Sequence, residues 1–183
     1  MFSDARSKKL VIVSHCILNQ NSISDSTADF PSQFKEIVEL LVSNSIGIIQ
    51  LRCPELLCLG LNRMDDKGCK RELLSENSRI RILLEEELNL KKIRTYLKDV
   101  LYEITQYKKY GFEILGIIGV NRSPSCGINT TSRNNEEVSG YGVFMNELMV
   151  MLENEGIEIP MIGTKTSKVD ESVKAVRALI ECQ

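Results

Sequence analysis

The amino-acid sequence predicts an α/β fold: a single domain over residues 1–183, built on a short Rossmann- or flavodoxin-like parallel sheet of about four to five strands with helices on both faces. Two observations predict it. The apolar pattern changes period several times along the chain, as alternating strands and helices require. The strand-like runs are short, apolar and rich in Val or Ile, which suits a parallel sheet covered on both sides.

Taken in order, the strands fall at 10–13, 46–51, 113–120 and 159–162. Between them lie helical patterns. Phe34, Ile37, Val38 and Leu41 form one apolar stripe after Pro31, a residue tolerated in a first helical turn. Ile93, Leu97, Val100, Leu101 and Ile104 form a second, with Lys91, Lys92, Lys98, Asp99 and Glu103 on the remaining faces. A third helix covers 141–152 and stops near Gly156, the residue type that best accepts a left-handed cap. Ser167 and Asp170 resemble a capping box opening a last helix through Val169, Val173, Val176 and Ile180. The stretch 56–78, with Gly60, Asp65, Asp66, Gly68 and two cysteines, lacks sustained periodicity and reads as a long loop with at most one short helix. Such loops tend to be lids or binding loops.

Composition narrows the function classes. The 183 residues are 43% hydrophobic, enough for one full core and short for two. Lys and Arg number 23 against 25 Asp and Glu, so no broad basic field exists for nucleic acid or an anionic membrane, and a small ligand is the expected partner. There is no run of 18 apolar residues, and the first ten residues are polar where a signal peptide would be apolar; the expected location is the cytoplasm. Six cysteines in a reducing compartment read as thiols or metal ligands before disulfides.

Three cysteines stand out because each follows a predicted strand. Cys16 ends the run Val11-Ile12-Val13-Ser14-His15-Cys16, Cys53 follows Ile48-Ile49-Gln50-Leu51-Arg52, and Cys126 lies in Arg122-Ser123-Pro124-Ser125-Cys126-Gly127 after the third strand. No local metal motif such as Cys-x-x-Cys links them. In a parallel sheet, side chains leaving the carboxyl ends of neighbouring strands converge on the crevice at the topological switch point. Three thiolates there suit an iron–sulfur cluster held by three irons with the fourth open, whereas a lone buried cysteine behaves as a small hydrophobe.

The segment from His15 to Asn21, the triplet Cys53-Pro54-Glu55 and the block Ser123 to Gly127 resemble the three motif blocks of the thiouracil desulfurase (TudS) family, most closely a TudS-related desulfidase branch. The resemblance runs in order and spacing from about residue 10 to about residue 130. It implies a [4Fe-4S] cluster held by Cys16, Cys53 and Cys126, catalytic roles for Glu55 and Ser123, and non-redox removal of sulfur from a small thiolated compound such as a thio-nucleobase or thioamide. Two departures separate the chain from thiouracil-directed members. Ser22-Ile23-Ser24-Asp25 stands where those carry a Tyr-Asp/Asn-Gly element, and Asn121 where they carry Lys. Thiouracil itself therefore does not follow as the substrate.

Other residues have competing readings. Glu55 could accept amide hydrogen bonds at a helix start, Ser123 could shape its turn, and Ser125 is expected to be structural. Gly127 is expected to let the backbone approach the cluster. His15, the single histidine, is expected to point away from Cys16, as strand neighbours do, and to pack. Arg52, Arg63 and Arg122 are surface charges or orient an anionic or carbonyl-bearing substrate. Cys58 or Cys69 could close the fourth iron and make the protein a redox sensor or electron carrier. The third alternative is a zinc-bound or metal-free binding module.

Overall fold

The computed structural model describes residues 2–25, 27–65 and 70–181. Strands β1 (Lys9–Val13), β2 (Gly47–Gln50), β3 (Glu113–Val120) and β6 (Met161–Thr164) form an all-parallel sheet in the order β2-β1-β3-β6. The chain winds outward in one direction from β1 to β2 and in the other from β1 to β3, so the switch point lies between β1 and β3. The expected α/β architecture is the one observed. The last strand begins at Met161, two residues after its predicted start, because Pro160 has no N–H for the ladder; its carbonyl accepts from Ile117 N at 2.9 Å.

Helices cover both faces. On one side α2 (Lys35–Ser43) and α7 (Val169–Glu181) bury Phe34, Ile37, Leu41 and Val176 against Val11, Val13, Leu115 and Ile118. On the other, α3 (Pro54–Leu59), α4 (Leu73–Leu84), α5 (Glu87–Lys109) and α6 (Val143–Asn154) pack around Ile12, Ile114 and Ile117. The stripe Ile93, Leu97, Val100 and Ile104 is the buried face of α5, as its spacing predicts. The faces of β3 do not alternate simply. Leu10 pairs with Ile114 but Val11 with Gly116, so Leu115 is the extra residue of a β-bulge. The bulge shifts every later side chain of β3 by one place, and Ile117 rather than Gly116 shares the face of Ile114.

The stretch 56–78 is more ordered than its composition suggests: α3 and the start of α4 occupy most of its described part. Helix α4 escapes an apolar-period reading because its buried side includes Glu76, Asn77, Ser78 and Arg81 beside Ile80 and Leu84. A hairpin of β4 (Thr130–Arg133) and β5 (Glu136–Ser139) is also absent from the sequence reading. Its two-residue turn, Asn134-Asn135, has φ of 53° and 63°, the left-handed pair that a type I′ hairpin needs. At the helix ends, Gly156 adopts the expected left-handed φ of 64°. Pro31 lies ahead of α2, outside its first turn, and Ser172 rather than Ser167 secures the start of α7, bonding Lys165 N and O at 2.9 Å each.

Close backbone approaches fix the turn that carries Cys126. A Cβ on Gly119 would collide with the Cys126 carbonyl and Ile128, and one on Gly142 with the Ser125 carbonyl. The turn is therefore clamped between β3 and the start of α6, where Phe144 N and Met145 N donate to Ser125 O at 3.1 and 3.2 Å.

Candidate functional site

The three strands β2, β1 and β3 are neighbours, and the segment leaving each carries one cysteine. After β1 the chain turns into a short helix, α1 (His15–Leu18), which places Cys16 in its first turn. Cys53 is the N-cap of α3, its sulfur accepting from Leu56 N at 3.4 Å. Cys126 sits in the clamped turn after β3. All three line one cavity of ≈ 110 Å³ at the carboxyl edge of the sheet, together with Glu55 and Ser123. Burial raises the Cys16 thiol well above its ordinary value, and the neighbouring Cys126, Cys53 and Glu55 push it further up. Burial likewise lifts Cys53 to about 11, helped by Glu55. Cys126 rises to about 12, through burial and then Cys53. The thiols are close enough to oppose one another's ionisation.

Glu55 is 7% exposed and fully partnered. Ser125 Oγ donates to its Oε1 at 2.7 Å, while Arg63 Nε at 2.9 Å and Ser24 Oγ at 3.4 Å donate to Oε2. The carboxylate thus turns away from the α3 amides and into the cavity wall. Ser123 does shape its turn, since its oxygen accepts from Ser125 N at 3.3 Å and Cys126 N at 3.0 Å. Its hydroxyl also lies 3.1 Å from Ser125 Oγ, which completes a path from Ser123 through Ser125 to Glu55. Ser125, expected to be structural, is the link between the two residues expected to act.

Arg63 is the residue that sequence reading most undervalues. It is 2% exposed with a left-handed φ of 52°, and besides Glu55 it donates to Gly60 O at 2.6 Å and to Ser22 O. The departure segment 22–25 therefore lies directly on the Glu55–Arg63 pair. No local spacing signals this, because the contacts join residues far apart in sequence.

His15 and Cys16 are not on opposite faces. They occupy a helical turn instead of a strand, and both line the cavity; burial lowers the His15 pKa. Gly127 makes room for the chain's own carbonyls, since a Cβ there would meet Ser123 O at 2.8 Å and collide with Thr130 O. Arg52 is outside the cavity, its guanidinium 5.7 Å from the Tyr96 ring centroid. Arg122 lines the cavity. Cys58 lies in the core beneath α5, its sulfur directed to Asn89 O at 3.7 Å, and does not reach the cavity. Cys69 and Cys182 lie outside the described residues. Among the described residues, no three His, Cys, Asp or Glu side chains are grouped as a single metal ion requires. None of the described helices is long and apolar enough to cross a membrane.

No profile of a known protein family matches the chain. A solved structure of a [4Fe-4S]-dependent thiouracil desulfidase, TudS, aligns over 92% of this chain and 98% of that one, with a TM-score of 0.45 and 16% identity. A nucleoprotein of murine pneumonia virus (strain 15) is 27% identical over 146 residues, 78% of this chain and 33% of that protein. An uncharacterized protein of Methanocaldococcus jannaschii, MJ0003, is 30% identical over 182 residues, 96% of this chain and 99% of the relative. This match spans the strands, the cysteine-bearing turns and the helices alike, and the chain belongs to the family of the uncharacterized protein MJ0003.

Proposed function

We propose that this protein is an iron–sulfur-dependent desulfidase that removes sulfur from a small thiolated compound, a thio-nucleobase or thioamide, with Cys16, Cys53 and Cys126 holding a [4Fe-4S] cluster. The observation that carries the reading is the convergence of three thiols, from the ends of three neighbouring parallel strands, on one cavity that also holds a buried carboxylate.

The donor set fits. Soft thiolates favour iron–sulfur clusters over hard cations. Burial and mutual repulsion hold three bare thiols protonated, and bound irons would remove that penalty by taking the thiolates as ligands. Ser14 Oγ is buried with no partner at hydrogen-bond distance, yet it lies close enough to Cys126 to favour its charged form, so a ligating Cys126 thiolate would accept a hydrogen bond from it. Thiols bound to separate irons need not converge as ligands of a single ion do. When bound, such a cluster supplies a soft Lewis acid, an iron without a cysteine ligand, for holding and polarising a thiocarbonyl sulfur.

The chain's own residues manage water and protons. Converting C=S to C=O takes its oxygen from water and releases the sulfur with the two water protons as hydrogen sulfide, with no electron gained or lost. Glu55 Oε1 receives a proton through Ser125, and Ser125 is replenished by Ser123 or by water on the cavity side. Arg63 and Ser24 hold Oε2, so Oε1 stays turned to Ser125.

The test is anaerobic reconstitution with iron and sulfide, followed by incubation with a series of thio-nucleobases and thioamides. The expected result is catalytic release of sulfide with the matching carbonyl product, seen only in cluster-loaded protein. Equal release by cluster-free protein, or none from any compound by loaded protein, would remove the desulfidase reading.

A further inference from the structure

Resting on the desulfidase reading, we propose that the substrate is a small thiolated carboxylate and that Arg122 receives its carboxylate group. The charge inventory of the cavity leads to this. Its ionisable lining residues, apart from the cysteines, are Glu55, Arg63, Arg122, Lys165 and His15. Glu55 and Arg63 pair with each other at 2.9 Å and cancel. Lys165 is paired with Glu137 at 2.6 Å, and Glu137 also accepts from Thr130 Oγ1 at 2.6 Å. Of the arginines and the lysine in the lining, Arg122 alone makes no hydrogen bond or ion pair through its charged group among the described residues; Glu137 feels its charge, but its close contacts go to Lys165 and Thr130.

The chain holds Arg122 firmly at this place. Its φ is 70°, a left-handed conformation that strains a non-glycine residue. Four hydrogen bonds fix it there. Its N–H donates to Thr130 O at 3.0 Å and Oγ1 at 3.2 Å, and its carbonyl accepts from Ser132 Oγ at 2.6 Å and Asn77 Nδ2 at 3.5 Å. Ser132 and Asn77 are themselves buried. An arginine side chain thus leaves a rigid backbone immediately before Ser123, with no hydrogen-bonded partner, at the cavity wall.

Charge and size select the partner. A guanidinium with no hydrogen-bonded partner suits a monoanion, and its planar fork matches a planar carboxylate by two parallel hydrogen bonds. A phosphate monoester is a dianion, and the second cation it would call on, Lys165, is already paired. The ≈ 110 Å³ cavity, which the cluster and the substrate would share, is also well below the roughly 300 Å³ at which pockets for larger ligands begin, which favours a compact substrate. A thioamide or thiolated heterocycle of a few heavy atoms, with a carboxylate near the thiolated carbon, satisfies both limits.

Calorimetric binding to the cluster-loaded and cluster-free protein tests this with three probes: thiooxamate, its neutral methyl ester, and 2-thiouridine 5′-monophosphate. Thiooxamate should bind more tightly than the other two, and Arg122→Gln should weaken it about 10- to 100-fold while leaving the ester unchanged. Arg122→Lys should restore part of the loss, and the iron content of both variants should equal that of the unaltered protein. The proposal is overturned if the ester or the nucleotide binds as well as thiooxamate, if the preference survives Arg122→Gln, or if Arg122→Gln loses iron, which would tie Arg122 to the cluster. Carboxylate selectivity without sulfide release from any thiolated compound would instead count against the desulfidase reading alone.

Discussion

Cys53→Ser should leave the fold intact and abolish cluster binding. Cys53 caps α3 through a hydrogen bond from Leu56 N at 3.4 Å, and serine is among the best residues for that position, so the helix start loses nothing. What disappears is a soft ligand: a serine hydroxyl is a poor donor to iron in a cluster. After anaerobic reconstitution the variant should hold little iron and sulfide, and sulfide release should fall further than the about 10- to 100-fold that loss of an outer partner of a metal ligand costs. Denaturation midpoints of the two cluster-free proteins should agree. Iron and sulfide contents equal to those of the unaltered protein would remove Cys53 from the ligand set.

Glu55→Gln should retain the cluster and lose turnover by about 100- to 10,000-fold, the range for a positioned acid or base. The amide keeps the shape but cannot take the proton that Ser125 delivers to Oε1 across 2.7 Å. A second effect accompanies it. Arg63, 2% exposed, loses its ion-pair partner, and breaking a buried pair in this way costs roughly 3–5 kcal/mol of stability. Rates must therefore be normalised to folded, cluster-loaded protein, using iron content and the thermal transition of each sample. Near-normal turnover after that correction would assign Glu55 to structure, as the anchor of Arg63 and the 22–25 segment.

The parts of the molecule legible in sequence are those set by local pattern. Strands β1, β2 and β3 announce themselves by Val- and Ile-rich runs. The placing of Cys16, Cys53 and Cys126 on one cavity follows from those runs together with the crevice rule for parallel sheets. What stays hidden is set by long-range polar contact. Helix α4 buries Glu76, Asn77, Ser78 and Arg81, so its inward face looks like a solvated one until Asn77 is seen donating to Ser132 Oγ at 3.0 Å across 55 positions. The link from Ser125 to Glu55 spans 70 positions and that from Ser24 to Glu55 spans 31, and neither leaves a trace in periodicity or spacing. His15 is a different case: its sequence neighbours suggest a strand, but the chain has already left the sheet at Ser14 and turned into α1. Adjacent helical residues can share a cavity wall where adjacent strand residues cannot.

The measurement that bears most directly on the account is iron and acid-labile sulfide content in a chain whose only cysteines are Cys16, Cys53 and Cys126. In that chain Cys58 becomes alanine, in keeping with its buried place in the core, and Cys69 and Cys182 become serine. Anaerobic reconstitution should give about four irons and four sulfides per chain, with sulfide release from a thiolated compound equal to that of the unaltered protein. Loss of the cluster in this three-cysteine chain would show that another cysteine is a ligand and would contradict the open-iron site on which the proposed chemistry depends.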